Sequence, residues 1–214
     1  MSDVWATIAA ERGALANELA DLAPAYWDTP SLCTGWTVRD LIAHLSATAS
    51  LNPGTFFIGM AKAGFNFDRF ANGQIAKHLG ADPVATLTEF RGLQNSTSAP
   101  PGPKTSWLGE VVIHGADIRR PLGIPHTYAP GAVRQAIDFY KGSNMLSGAK
   151  KRITGLALYA TDDDWQHGPG DAGAPVVEGP LLSLLLAMTG RSGACDDLAG
   201  PGVPTLRSRC TPAR

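Results

Sequence analysis

An amphipathic helix begins in the stretch Thr37-Val38-Arg39-Asp40-Leu41-Ile42-Ala43-His44-Leu45. Thr37 is a typical N-cap residue, and Asp40 three positions later completes an approximate capping box. His44 then shares one face of the helix with Leu41, because residues three and four apart are neighbours on a helix surface. The stretch therefore predicts a helix that carries a histidine on its apolar face.

A glutamate and a histidine lie four positions apart in a second stretch, Glu110-Val111-Val112-Ile113-His114-Gly115-Ala116-Asp117. At about 100° per residue, Glu110 and His114 lie about 40° apart on a helix, and Asp117 lies about 20° to the other side of Glu110. Polar groups that face inward must be paired or bound to a metal. Together with His44 from the first stretch, Glu110 and His114 could supply the three ligands of a catalytic zinc site, which keeps a fourth position open. Asp117 then suits the role of acceptor for a ligand imidazole.

The spacing alone leaves another interpretation open. A glutamate and a histidine four positions apart also occur on solvated helices, and His44 could be a hydrogen-bonded core histidine. Such a pair is a weaker signal than a complete His-Glu-x-x-His motif, which carries its own general base.

Composition and charge exclude several classes of protein. The chain has 214 residues, of which 44% are hydrophobic and 17% charged, and its net charge of −1 gives no basic footprint for nucleic acid. No segment has the run of about 20 apolar residues that a membrane span needs. The first residues lack the pattern of a secretory signal, and the three cysteines form no Cys-x-x-Cys pair. These features predict a cytoplasmic protein that acts neither on nucleic acid nor in a membrane.

The order of predicted elements indicates two domains. Residues 1–147 contain five or six predicted helices, four of them long enough for an up-down four-helix bundle. Within this part, residues 51–80 carry several glycines and predict an interrupted helix whose role we leave open. Residues 148–214 predict a small α+β domain. Its predicted elements are a strand at 153–159, a short partner strand at 176–177, a helix at 180–189 and a strand near 203–206.

Three segments carry a resemblance to a known family. They are Cys33-Thr34-Gly35-Trp36-Thr37-Val38-Arg39-Asp40-Leu41-Ile42-Ala43-His44-Leu45, the stretch from Glu110 to Asp117, and Ala160-Thr161-Asp162-Asp163-Asp164-Trp165 with residues 179–191. The chain resembles the mycothiol-dependent maleylpyruvate isomerase family. The resemblance implies a DinB-like metal-binding four-helix bundle followed by a small sterol-carrier-like C-terminal domain.

The same resemblance implies a function. It implies that His44, Glu110 and His114 bind a divalent metal, usually zinc, and that mycothiol is a thiol cosubstrate. A metal-bound thiolate would then act on a small-molecule electrophile, as an S-transferase or a cis-trans isomerase. No side chain beyond the metal ligands is assigned a catalytic role, and the chain is expected to be a monomer or a homodimer.

Two other functions stay open at this stage. The chain could be a non-catalytic carrier or binding protein for a small ligand, with a metal that only ties helices together. It could also hydrolyse a substrate with a metal-activated water, which needs the same ligands.

The remaining candidate side chains predict structural roles. Cys33 lies just before a Gly-Trp turn, where a structural thiol is expected rather than a ligand or catalyst. Trp36 is expected to pack where the first helix begins. His78, His126 and His167 lie near glycine or proline, which predicts surface positions.

Overall fold

The chain is mainly helical, and a computed structural model describes residues 3–129, 131–145, 147–169 and 173–210. The N-terminal helices are α1 (Val4–Glu18), α2 (Val38–Ser50), α3 (Pro53–Lys62), α4 (Phe67–His78), α5 (Pro83–Gly92) and α6 (Lys104–Leu122). The C-terminal helices are α7 (Ala132–Tyr140), α8 (Ala149–Ile153), α9 (Leu181–Met188) and α10 (Val203–Arg209). The strands are β1 (Ala157–Ala160), β2 (Gln166–His167) and β3 (Val176–Gly179). The predicted class, mainly α with a small α+β C-terminal part, is confirmed.

Four helices form the N-terminal bundle. Helix α1 packs against α5 and α6, and α2 packs against the same two helices and also against α4. The core between them is aliphatic and aromatic, with Ile8, Leu15, Leu41 and Phe90 completely buried. Because α2 and α6 are in contact, a side chain on one of them can meet a side chain on the other.

The region 51–80 folds as two helices, α3 and α4. Asn52 caps α3 and Pro53 occupies its first turn, a position where proline is favoured. The helix is interrupted at Gly64 and Phe65, which both have positive φ. A small apolar cluster holds the two helices together; it consists of Leu51, Ala63 and Phe70 with the partly buried Phe56 and Met60.

Charged side chains fasten α6 and the segment after it to α1. Arg119 donates through Nε to Glu18 Oε2 at 2.6 Å. His126 lies between two carboxylates, with Nδ1 2.7 Å from Glu18 Oε1 and Nε2 2.9 Å from Glu11 Oε2. The surface position predicted for His126 is therefore wrong, because local sequence did not reveal the two glutamates of α1 that enclose it.

The C-terminal elements form a three-stranded sheet covered by helices. β1 lies in the middle, antiparallel to β2 and parallel to β3. Helix α9 is buried along its length and packs against the sheet and against α7, α8 and α10. The strand predicted near 203–206 is wrong, because these residues begin α10. Pro204 stands in the first turn of that helix, where its fixed φ is favourable, whereas a proline inside a strand removes a hydrogen-bond donor.

The two compact units divide after Ala129, whereas the sequence placed the boundary at residue 147. Helix α7 accounts for this difference. It packs against α9, and its Asp138 accepts a hydrogen bond from Trp165 Nε1 at 3.0 Å. In the described part of the chain, none of the helices combines the length and the apolar character that crossing a bilayer requires.

The cap of α2 supplies the first testable prediction. Thr37 Oγ1 accepts from Asp40 N at 3.2 Å, and Asp40 Oδ2 accepts from Thr37 N at 2.9 Å, so the predicted capping box is present. Thr37→Ala should lower the free energy of unfolding by about 1 kcal/mol in urea titrations followed by circular dichroism. Thr37→Ser should keep most of this stability.

Thr88→Ala is the matched control, because Thr88 is an exposed threonine inside α5 that caps no helix. It should change the free energy of unfolding by less than about 0.5 kcal/mol. Equal effects of the two alanine variants would show that the cap does not stabilise α2.

Candidate metal centre

Two helices of the N-terminal unit bring three candidate ligands together. His44 lies on α2, and Glu110 and His114 lie one turn apart on α6. Leu41 on α2 and Val112 and Ile113 on α6 are buried apolar side chains of the same two helices. The polar positions that the sequence separates by 66 residues therefore meet at the contact between α2 and α6.

The ligand atoms converge on one point. His44 Nε2 lies 2.7 Å from Glu110 Oε1, and His114 Nε2 lies 3.6 Å from the same oxygen. The three donor atoms all lie within 4.8 Å of one another. Their side chains are 12–14% exposed, so the cluster is mostly buried and still reachable from solvent. Two imidazole nitrogens and a carboxylate are a donor set that suits zinc.

Asp117 orients the second histidine. Its Oδ2 lies 2.9 Å from His114 Nδ1, and its side chain is completely buried. A carboxylate at this distance accepts a hydrogen bond from Nδ1–H, which leaves Nε2 as the nitrogen directed at Glu110. The sequence predicted that Asp117 accepts from a ligand imidazole; the structure shows the hydrogen bond to His114, and the role at a metal site stays a prediction.

The same surroundings change the acidity of His114. Burial alone would lower the pKa of the imidazole, but the negative charge of Glu110 and the hydrogen bonds to Asp117 and Cys33 outweigh it. The result is a pKa well above the usual value of 6.5. A cation at the cluster would therefore compete with a proton for His114.

Cys33 also belongs to this cluster, which the sequence did not predict. Its thiol donates to Asp117 Oδ2 at 3.2 Å, and its Sγ lies 3.6 Å from His114 Nδ1. Cys33 is only 1% exposed, which fits the structural thiol that was expected. No local pattern links Cys33 to residues 81 and 84 positions later, so only the fold reveals the contact.

Trp36 lies against the other histidine. The centroids of the Trp36 and His44 rings are 4.9 Å apart, at an interplanar angle of 39°. The indole Nε1 donates to Asn72 Oδ1 of α4 at 3.4 Å. Trp36 thus packs where α2 begins, as expected, and it also covers a candidate ligand and contacts the region 51–80.

A comparison with protein families gives the N-terminal part a family. Residues 8–101 match the family described as the mycothiol maleylpyruvate isomerase N-terminal domain. This segment of the chain belongs to that family. The family predicted from the sequence is therefore confirmed. The matched segment contains Cys33, Trp36 and His44, while Glu110 and His114 lie beyond it.

Solved structures show the same fold over nearly the whole chain. A crystal structure of the mycothiol-dependent maleylpyruvate isomerase is 19% identical, covers 92% of this chain and 91% of its own, and has a TM-score of 0.60. A histidine-to-alanine mutant of a mycothiol-dependent maleylpyruvate isomerase is 18% identical, with the same coverage and a TM-score of 0.61. No curated protein sequence matches the chain. The mycothiol maleylpyruvate isomerase N-terminal domain is thus joined here to a C-terminal part that these two structures also share.

The raised pKa of His114 supplies a second prediction. In metal-free protein at pH 7, His114 should be protonated, whereas His167, whose pKa burial and the charge of Lys141 lower, should be neutral. The stabilisation from protonated His114 should be complete below the unfolded value of about 6.5. It should be lost as the pH rises through the folded-state pKa. NMR titration of the imidazole protons after treatment with a chelator measures both residues. A His114 midpoint at or below 6.5 would contradict the geometry.

Proposed function

We propose that the chain is a metal-dependent enzyme that uses the low-molecular-weight thiol mycothiol to act on a small electrophile. The observation that carries this proposal is the convergence of His44, Glu110 and His114, with Asp117 behind His114. The family of residues 8–101 and the two similar structures are named for mycothiol-dependent maleylpyruvate isomerase, which supports the thiol and the enzyme class.

The residues fit a divalent cation, and zinc best. His44 and His114 direct Nε2 towards Glu110 Oε1, and three protein ligands leave one position for a small molecule. Asp117 fixes the tautomer of His114, as carboxylates commonly do for ligand histidines. A divalent cation held there would lower the pKa of a thiol in contact with it, and would so supply a thiolate at neutral pH.

The chain itself offers a poor nucleophile at this place. Cys33 is buried, donates to Asp117, and lies on the Nδ1 side of His114, whereas Glu110 and His44 lie on the Nε2 side. A substrate at the Nε2 side is therefore separated from Cys33 by the imidazole ring. This separation supports a thiol that is brought by a cosubstrate.

The thiol chemistry allows two outcomes. Addition of the thiolate to an activated double bond turns that bond into a single bond, which can rotate before the thiolate leaves again. This sequence isomerises the substrate and returns the thiol. In an S-transferase, the adduct is protonated and released instead. We put isomerisation first, because the matched family is named for an isomerase.

A carrier with a structural metal is the alternative that the sequence left open. The exposure of the three ligands, 12–14%, favours a site that small molecules reach over a closed structural site. We also propose that the enzyme acts in the cytoplasm, since Cys33, Cys195 and Cys210 are thiols that are not joined in disulfides.

Metal content tests the ligand assignment. Protein reconstituted with zinc and desalted should retain about one zinc per chain, because three protein ligands hold it. Glu110→Ala and His114→Ala should each retain almost none. Elemental analysis measures the content.

His78→Ala is the matched control, because His78 also pairs with a carboxylate, Glu89, at 2.6 Å but lies outside the cluster. It should retain zinc like the parent. Loss of zinc in the control, or its retention in both ligand variants, would overturn the assignment.

Activity tests the thiol. Maleylpyruvate with mycothiol and zinc-loaded protein should isomerise, and the rate should fall to the uncatalysed level when mycothiol is omitted or when His114→Ala replaces the parent. Absorbance of the substrate follows the reaction. A rate that does not depend on the thiol would contradict the proposal. If mycothiol is instead consumed in step with the substrate, S-transfer is the reaction.

A further inference from the structure

The turn between α1 and α2 contacts both candidate ligand histidines. This turn consists of residues 31–36, from Ser31 to Trp36. Ser31 donates through its backbone N to Trp36 O at 3.0 Å and through Oγ to the same oxygen at 2.7 Å. Cys33 N donates to Ser31 Oγ at 3.1 Å, and Trp36 N donates to Cys33 O at 3.1 Å. These bonds fix Cys33 and Trp36 relative to each other.

The first contact of the turn is with Asp117 and His114. Asp117 Oδ2 accepts from Cys33 Sγ at 3.2 Å and from His114 Nδ1 at 2.9 Å, so one oxygen serves both donors. The turn is also tied to the backbone of the same residue, since Leu32 N donates to Asp117 O at 3.2 Å. A carboxylate held from two sides cannot rotate away from the imidazole without breaking the bond to the thiol.

The second contact of the turn is with His44. The indole of Trp36 lies over the imidazole at a centroid distance of 4.9 Å. It restricts rotation of His44 about its side-chain bonds, and the bond from Trp36 to Asn72 restrains the indole in turn. One short turn therefore touches the ring of one histidine and the hydrogen-bond partner of the other.

We infer that the turn of residues 31–36 positions the two metal-binding histidines, with Cys33 acting through Asp117 on His114 and Trp36 acting directly on His44. This inference rests on the proposed metal site. Cys33 and Trp36 are positioning residues in it, and neither is a ligand or a nucleophile.

Another arrangement of the same atoms is a second metal site. Cys33, His114 and Asp117 also have three donor atoms close enough to hold a cation. Such a cation would have to displace the thiol proton and the Nδ1 proton, both of which have an acceptor in Asp117 Oδ2. The satisfied hydrogen bonds favour the positioning role, and zinc stoichiometry separates the two arrangements.

Zinc affinity of Cys33 variants tests the inference. Competition with a chromophoric chelator gives the affinity of the parent, Cys33→Ala and Cys33→Ser for Zn²⁺. Cys33→Ala should bind zinc about tenfold more weakly, which is the lower end of the effect of losing an outer-shell partner. Cys33→Ser keeps a donor for Asp117 and should stay within about threefold of the parent.

The matched control is Cys195→Ala, which also removes a thiol that is 1% exposed but lies outside the N-terminal unit. It should bind zinc like the parent. Trp36→Leu tests the contact with His44 and should weaken zinc binding about tenfold. If Cys33→Ala does not fold, the zinc affinity of Trp36→Leu tests the inference instead. Thermal melting of metal-free protein checks that each variant is folded.

Three results would overturn the inference. They are parental affinity in folded Cys33→Ala, an equal loss in Cys33→Ser and Cys33→Ala, and two zinc ions per parent chain of which Cys33→Ala loses one. If the parent binds no zinc, the proposed function is wrong, and the positioning role of the turn is wrong with it. If the parent binds one zinc and the Cys33 and Trp36 variants bind it with the same affinity, only the positioning role of the turn is wrong.

Discussion

The buried carboxylate of Asp117 is the constraint on which the candidate site depends. A carboxylate without solvent contact is costly unless it is paired and hydrogen-bonded, because burial removes its hydration. Asp117 meets this requirement with His114 Nδ1 and Cys33 Sγ. Both donors are thereby fixed. His114 directs Nε2 towards Glu110, and the turn of residues 31–36 stays beside α6. Loss of either donor would leave the negative charge of Asp117 less well compensated inside the bundle.

This constraint connects the chemistry of the site to the architecture of the bundle. Helix α6 carries Glu110, His114 and Asp117 on one stripe. Arg119 lies on the other side of the helix and pairs with Glu18 of α1. One face of α6 thus builds the site, and the other anchors the helix to its neighbour. The raised pKa of His114 follows from the same crowding of acidic groups, and a cation that binds His114 must displace the proton that this pKa favours.

The sequence predicted most of the bundle and the candidate ligands, because those features depend on local spacing. Thr37 and Asp40 form a capping box that indicates where α2 begins. The spacing of four between Glu110 and His114 places both on one helix face. Contacts that join distant parts of the chain were not predictable in this way. Cys33 beside Asp117 and His126 between two glutamates depend on how the helices pack.

Two features at the C-terminal side differ from the expectations from sequence. The strand predicted near 203–206 contains Pro204, whose fixed φ is favourable in the first turn of α10. The domain boundary was placed after α7, because the sequence of this helix does not show that Asp138 bonds to Trp165 further along the chain. The metal, the thiol and the reaction stay proposals that rest on the donor set and on the family of residues 8–101.

X-ray absorption at the zinc edge tests the central claim most directly, because it identifies the atoms bound to the metal. Zinc-loaded protein should show only nitrogen and oxygen neighbours, from two imidazoles, a carboxylate and solvent. Addition of mycothiol should introduce one sulfur neighbour at about 2.3 Å. A sulfur neighbour before the thiol is added would make Cys33 a ligand. An unchanged spectrum after its addition would contradict a site at which the metal activates a thiol.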